Sequence, residues 1–130
     1  MNPLRIALLR WYEANQAGVS FAVGSFPTGV AFDGANIWVT NNGSGNATKV
    51  RASEGTILGT FAVGASPWGV AFDGANIWVA NSGTNNVTKL RASDGATLGT
   101  FAVGSTPVGI AFDGANIWVA NAFSGTVTKL

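Results

Sequence analysis

Six carboxylates, Glu13, Asp33, Glu54, Asp73, Asp94 and Asp113, supply the acidic chemistry of a chain that contains neither histidine nor cysteine. Without histidine the usual general base, the Ser–His and Cys–His nucleophile pairs and the commonest metal ligand are all missing. Without cysteine there are no disulfides, no thiolate chemistry and no Cys-based metal sites. Asp33, Asp73 and Asp113 each open the same Asp-Gly-Ala-Asn turn, and Glu54 and Asp94 sit in equivalent Ser-[Glu/Asp]-Gly turns. An Asx hydrogen bond accounts for such residues without any catalysis. An acid/base pair needs two carboxylates whose surroundings push their pKa values apart, and repeated equivalent turns do the opposite. The expectation is a non-enzyme with no cofactor and no metal. The polar residues left to consider are Asn41, Asn81 and Asn121, which recur at one repeat position and could ring a central opening.

The elements that must place these residues follow from a repeat. Phe-Ala-Val-Gly-x-x-Pro-x-Gly-[Val/Ile]-Ala-Phe-Asp-Gly-Ala-Asn-Ile-Trp-Val begins at Phe21, Phe61 and Phe101, a period of 40 residues. Self-similarity at that length marks units that bury their apolar faces only by stacking on neighbours. In the middle unit four short runs, Gly69 to Phe72, Ile77 to Ala80, Val87 to Arg91 and Thr97 to Val103, are separated by Gly, Asn, Asp and Pro clusters. This is strand-and-turn punctuation, and no uninterrupted helical periodicity competes with it within the repeats. The first two runs are nearly continuous apolar stretches and predict dry inner strands. The third places Lys89 and Arg91 opposite Leu90 and predicts a half-solvated outer one. About 40–45 residues per four-stranded unit is the propeller spacing. The predicted fold is all-β: a β-propeller of four-stranded blades with three blades in the chain. Residues 21–60, 61–100 and 101–130 are the three repeats, and 1–20 precede them.

The segments Ile37-Trp38-Val39-Thr40-Asn41, Ile77-Trp78-Val79-Ala80-Asn81 and Ile117-Trp118-Val119-Ala120-Asn121 each follow Pro-x-Gly-[Val/Ile]-Ala-Phe-Asp. In this they resemble YVTN-type repeat propellers and, more loosely, NHL-type ones. The resemblance implies the propeller fold over residues 21 to 130; it implies no single activity, since such propellers include binding, surface-layer and enzyme members. Some similar propeller lyases depend on histidine, so that activity does not carry over. Gluconolactonase-like propellers hold a divalent ion with Asn and acidic side chains near the central opening. Here Asn41, Asn81 and Asn121 lack an evident acidic partner on the same loops, which leaves a metal-dependent, lactonase-like hydrolase as a lesser alternative.

Three blades fall short of the four to eight of most closed propellers. Each open face would show several large apolar side chains, worth about 1.5–3 kcal/mol apiece when fully buried. Association costs about 4–15 kcal/mol, but a ring of n chains gains n interfaces from n−1 associations. Head-to-tail homo-oligomerisation is therefore expected, as a homodimer of six blades or, alternatively, a homotrimer of nine. The third repeat reaches Leu130 without an outermost strand, whereas Gly18 to Gly24 matches the fourth-strand run Gly59 to Gly64 in its second half. Val19, Phe21 and Val23 are accordingly expected to complete a composite blade with Val127, Lys129 and Leu130 of another copy. Residues 4–12 are open to two readings: strand, by aligning Leu9-Arg10 with Leu90-Arg91, or a short helix starting at Asn2-Pro3.

Charged residues are only 10% of the chain, the net charge is +1 and the basic residues form no run, so neither nucleic acid nor an anionic membrane has an electrostatic footprint. The short apolar stretch Ile6 to Leu9 neither spans a membrane nor has a signal-peptide layout, and a cytoplasmic location is the default expectation. Asn46 and Asn86 head Asn-x-Thr sequons that matter only in a secreted protein. The first two repeats differ at 12 positions, and seven of them, from Ser25 to Gly45, lie on or beside the loop into the first strand and the loop between the second and third. Those loops share one face. Phe26, Thr28, Trp68, Val108 and Phe123 are therefore candidate ligand contacts, together with the three asparagines, for a glycan, small molecule or peptide.

Overall fold

The computed structural model describes residues 18–130, and the strand-or-helix question for residues 4–12 lies outside the described residues. Three antiparallel sheets follow one another along the chain. The first is β1 (Pro27–Phe32), β2 (Asn36–Asn41), β3 (Asn46–Arg51) and β4 (Ile57–Ala62) in that spatial order. The second repeats it with β5 (Pro67–Phe72), β6 (Asn76–Asn81), β7 (Asn86–Arg91) and β8 (Thr97–Ala102). The third has β9 (Pro107–Phe112), β10 (Ile117–Asn121) and β11 (Thr126–Lys129), paired in the order β11-β10-β9.

Turn chemistry sets the register. In the first hairpin the Asp33 Oδ1 accepts hydrogen bonds from the backbone N–H groups of Ala35 and Asn36 at 3.0 and 2.7 Å. Gly34 sits at φ +98°, a conformation that side chains disfavour. The β2–β3 turn folds back through Gly45 N–H to the Asn41 carbonyl at 3.0 Å, with φ +67° at Gly45 and +55° at the equivalent Asn85. Asn is among the few residues other than Gly that tolerate this region.

Neighbouring sheets meet through their first strands, β1 against β5 and β5 against β9. A Cβ at Gly29 would lie 2.5 Å from the Trp68 carbonyl, and one at Gly69 would collide with the Val108 carbonyl. Only glycine permits that approach. Two apolar clusters lie between blades. Trp38 and Ala47 of the first blade cover Ile77, Val79 and Leu90 of the second; Trp78, Ala80 and Val87 of the second cover Ile117 and Val119 of the third.

The expected gradient from dry inner to wet outer strands needs correction. The middle strands are driest: four of six β2 positions are buried, whereas β1 and β4 show none. The backbones of neighbouring blades approach through their first strands, but the side chains buried between them come from the second and third strands, and the first blade has no described blade before it. Lys89 is half-buried and Arg91 exposed, but Lys49, at the repeat position of Lys89, is buried because the second blade covers it and satisfies its charge.

Candidate functional site

Each candidate residue is placed by its repeat position. The carboxylates of the Asp-Gly-Ala-Asn turns prove doubly engaged. Besides the two backbone bonds at Oδ1, the Oδ2 of Asp33, Asp73 and Asp113 accepts the indole N–H of Trp38, Trp78 and Trp118 at 2.9, 2.8 and 2.8 Å. For Asp33 and Asp73 burial acts to raise the pKa, but the indole and the backbone donors outweigh it and hold both below the usual carboxylate range. The Trp118 indole and the Asn116 and Ala115 N–H groups hold Asp113 down to about 2. These groups stay ionised and already bonded near neutral pH, which makes them poor proton donors and acceptors. The indole link went unseen in the sequence reading, although an Asp followed five residues later by Trp in every repeat was a usable signal. Glu54 and Asp94 pair with Arg51 and Arg91 on the surface. Among the described residues no group of three or more His, Cys, Asp or Glu could hold a metal ion.

Asn41, Asn81 and Asn121 are buried and tie their own blades together. The Asn41 amide donates to Asn46 Oδ1 at 2.8 Å and Thr48 Oγ1 at 2.9 Å; Asn81 does the same to Asn86 and Thr88, and Asn121 to Thr126 and Thr128. The side-chain carbonyls of Asn41 and Asn121 accept the N–H of Gly24 and Gly104 at 3.1 Å. Their polar atoms are therefore used in clamping the second strand to the third and to the incoming loop. Asn81 Oδ1 has no partner among the described residues, though Gly64 lies against it as Gly24 lies against Asn41.

On the loop face, Phe26, Trp68 and Phe123 are 78, 47 and 82% exposed. Thr28, Trp68 and Val108 occupy one position on successive innermost strands, and Thr28 Oγ1 donates to the Trp68 carbonyl at 3.2 Å. That contact is structural, and it brings Thr28 and Trp68 together at the rim. Phe123 follows a different anchor, its N–H donating to the Ser105 carbonyl.

Apolar side chains are exposed at both end faces of the arc. One belongs to the first blade, where Phe21, Val23, Ile37, Val39, Val50 and Ala52 line a groove of about 320 Å³. Ile37, Val39 and Val50 are the counterparts of Ile77, Val79 and Leu90, which the preceding blade buries. The other end face belongs to the third blade. Trp118 is 39% exposed where Trp38 and Trp78 are 0 and 8%, and Val127 is 65% exposed where Val87 is buried. Each end is thus one half of the interblade contact found twice inside the chain. Phe21 adds to the pattern. Its ring lies against Gly55 as the Phe61 ring of β4 lies against Gly95 of the next blade, so closely that a Cβ at either glycine would collide with it. Residues 18–23 are outside any strand, yet Phe21 rests where the outer strand of a preceding blade would put it.

Comparison with known proteins supports the architecture. No protein-family model matches the sequence, and no curated protein matches it by sequence. Among solved structures, hydrazine synthase of Kuenenia stuttgartiensis superposes with a TM-score of 0.71 at 25% identity, over 82% of this chain and 32% of that one. A functionally unknown protein from Desulfotomaculum acetoxidans gives 0.69 at 18% identity, over 86% and 44%. Streptogramin B lyase gives 0.63 at 18%, over 82% and 40%. The chain spans between about a third and under a half of the length of these proteins. They share the fold and span different activities, so they carry no activity over. Three stacked antiparallel sheets in the blade arrangement of these neighbours make the chain an all-β, three-bladed arc of a β-propeller.

Proposed function

We propose that the chain is a non-catalytic propeller scaffold of the YVTN/NHL-like repeat type whose blades are completed head-to-tail by a second copy, preferentially as a homodimer of six blades. The observation that carries this reading is the match between its two end faces and its own interior interfaces. Trp118, Ala120 and Val127 of one copy would cover Ile37, Val39 and Val50 of the next, as Trp38, Ala47 and their neighbours cover Ile77, Val79 and Leu90. Residues 18–23 would supply the outer strand of the third blade. The observed β3–β4 register, Ala47 opposite Phe61 and Thr48 opposite Thr60, then pairs Val127 with Phe21 and Thr128 with Ser20. Val23 N–H would reach the Gly125 carbonyl, as Val63 reaches Gly45 at 3.2 Å and Val103 reaches Asn85 at 3.1 Å. The non-catalytic part is supported by the described carboxylates, which are engaged by turns, indoles and arginines.

Light scattering across a concentration series tests the reading. The expected mass at micromolar concentration is twice 13.2 kDa, falling to that of one chain on Phe21→Ala. A folded wild-type protein that stays at one chain throughout would overturn it. A second reading, recognition of a glycan, small molecule or peptide on the loop face, is favoured by the exposure of Phe26, Trp68 and Phe123. Binding of one such compound, abolished by Trp68→Ala without change in mass, would support it.

A further inference from the structure

The chain has three lysines, Lys49, Lys89 and Lys129, at one repeat position. Each ammonium lies over the tryptophan of its own blade, 5.5 Å from the Trp38 ring, 4.9 Å from Trp78 and 5.7 Å from Trp118. Their aim is therefore the same, along the interblade direction. Their fates differ. Lys49 is buried and donates to two carbonyls of the next blade's β7–β8 turn, Ala92 at 2.8 Å and Ser93 at 3.2 Å. A lysine taken from water needs such acceptors to remain charged. Lys89 is half-buried, and the equivalent carbonyls of the third blade would fall after Leu130. Lys129 is exposed, and no blade covers it among the described residues.

The corresponding turn is present at the other end of the arc. Ala52 and Ser53 of the β3–β4 turn are exposed, whereas the equivalent Ala92 is buried. Among the described residues no donor reaches their carbonyls. We infer that Lys129 is a docking residue: its ammonium donates to the Ala52 and Ser53 carbonyls of a second copy, forming across the junction the clamp that Lys49 forms inside the chain. This rests on the head-to-tail reading above and adds a residue-specific polar contact to its apolar surfaces. It also makes the Lys129 amine a site at which acylation blocks assembly, because an amide retains neither the charge nor three donors.

Amine acylation of the intact chain, resolved at each lysine by peptide mass spectrometry, tests the inference. A small acetylating ester is applied at concentrations well above and well below the association midpoint. Lys49 should react slowly at both. Lys129 should react freely in the dilute sample and about tenfold more slowly in the associated one. Lys129→Met should weaken association about tenfold or more, the fold-change expected for hydrogen bonds to a charged group, while leaving the melting of the dilute chain unchanged. Equal Lys129 reactivity in associated and dilute protein, with the mass showing a dimer, overturns the clamp and leaves the head-to-tail reading standing. A mass of one chain at every concentration overturns both, so the mass separates the two failures.

Discussion

Trp118→Ala would separate surface that a second copy covers, on the head-to-tail reading, from surface already used in the fold. Trp38, Trp78 and Trp118 occupy one repeat position and all donate to an Asp, but only Trp118 is 39% exposed. A tryptophan presents about 250 Å², so on the order of 100 Å² of Trp118 is exposed and, on the head-to-tail reading, would be covered by the next copy. At about 25 cal/mol per Å² this is about 2.5 kcal/mol per junction. An open head-to-tail pair has one junction and should lose about 60-fold in affinity; a closed pair has two and should lose several thousandfold, about 5 kcal/mol. The ratio thus reports closure as well as contact. Sedimentation or light scattering over a dilution series measures it. Trp38→Ala is the control: its side chain is fully buried within the chain, so it should destabilise the dilute protein by about 3–5 kcal/mol. The reasoning fails if Trp118→Ala associates as tightly as the parent, or if both variants lower the dilute melting temperature equally.

Other expectations concern the turns and clamps. Asp33, Asp73 and Asp113 have folded-state pKa values below the unfolded value of about 3.9. Their contribution to stability is therefore complete above about pH 4 and lost as pH falls through the folded values, about 2 for Asp113. Thermal melts should be flat from pH 5 to 7 and drop below pH 4, and Asp73→Asn should blunt that drop. Asn81→Ala removes one buried and one part-buried side-chain bond and should cost about 1–3 kcal/mol in denaturant unfolding. Gly95→Ala introduces strain at φ +75° and displaces the Phe61 ring, so it should melt well below Gly34→Ala, where a Cβ meets open space and strain alone applies, about 1–3 kcal/mol.

The strands and hairpin turns were legible because every determinant is local: Pro before the first strand, Asp-Gly at the first turn, Asn and Gly at the second. Burial was harder to read. Whether Lys49 is solvated depends on the turn of the following blade, 43 residues away, and an alternating pattern says nothing about that. The shared repeat position of the three asparagines is visible in the sequence, but their bonds to Thr48, Thr88 and Thr128 are not: these follow the strand register, which places partners seven residues apart across a hairpin. Indole donation to Asp went unread for a similar reason: an Asx turn explains the acid so completely that no further partner is sought.

Side-chain volumes favour a second copy over an unrelated partner. At the two interior junctions the covering residue of one blade meets a larger residue of the next: Ala47 shares a cluster with Leu90, and Val87 with Leu130. The junction between copies would bring Val127 toward Val50, and Val plus Val has a summed volume between those of Ala plus Leu and Val plus Leu. Interiors feel changes of a single methylene, so a compensated pair at a third junction is a restrictive match. The remaining core positions there, Ile, Trp and Val, are identical in all three repeats. Val50→Ala should therefore weaken association by leaving a cavity beneath Val127. Adding Val127→Leu should restore much of it, because Leu plus Ala reproduces the first interior junction with the sizes exchanged. Rescue by the double variant points to direct packing between those residues across copies. Simple addition of the two losses would mean that they never meet.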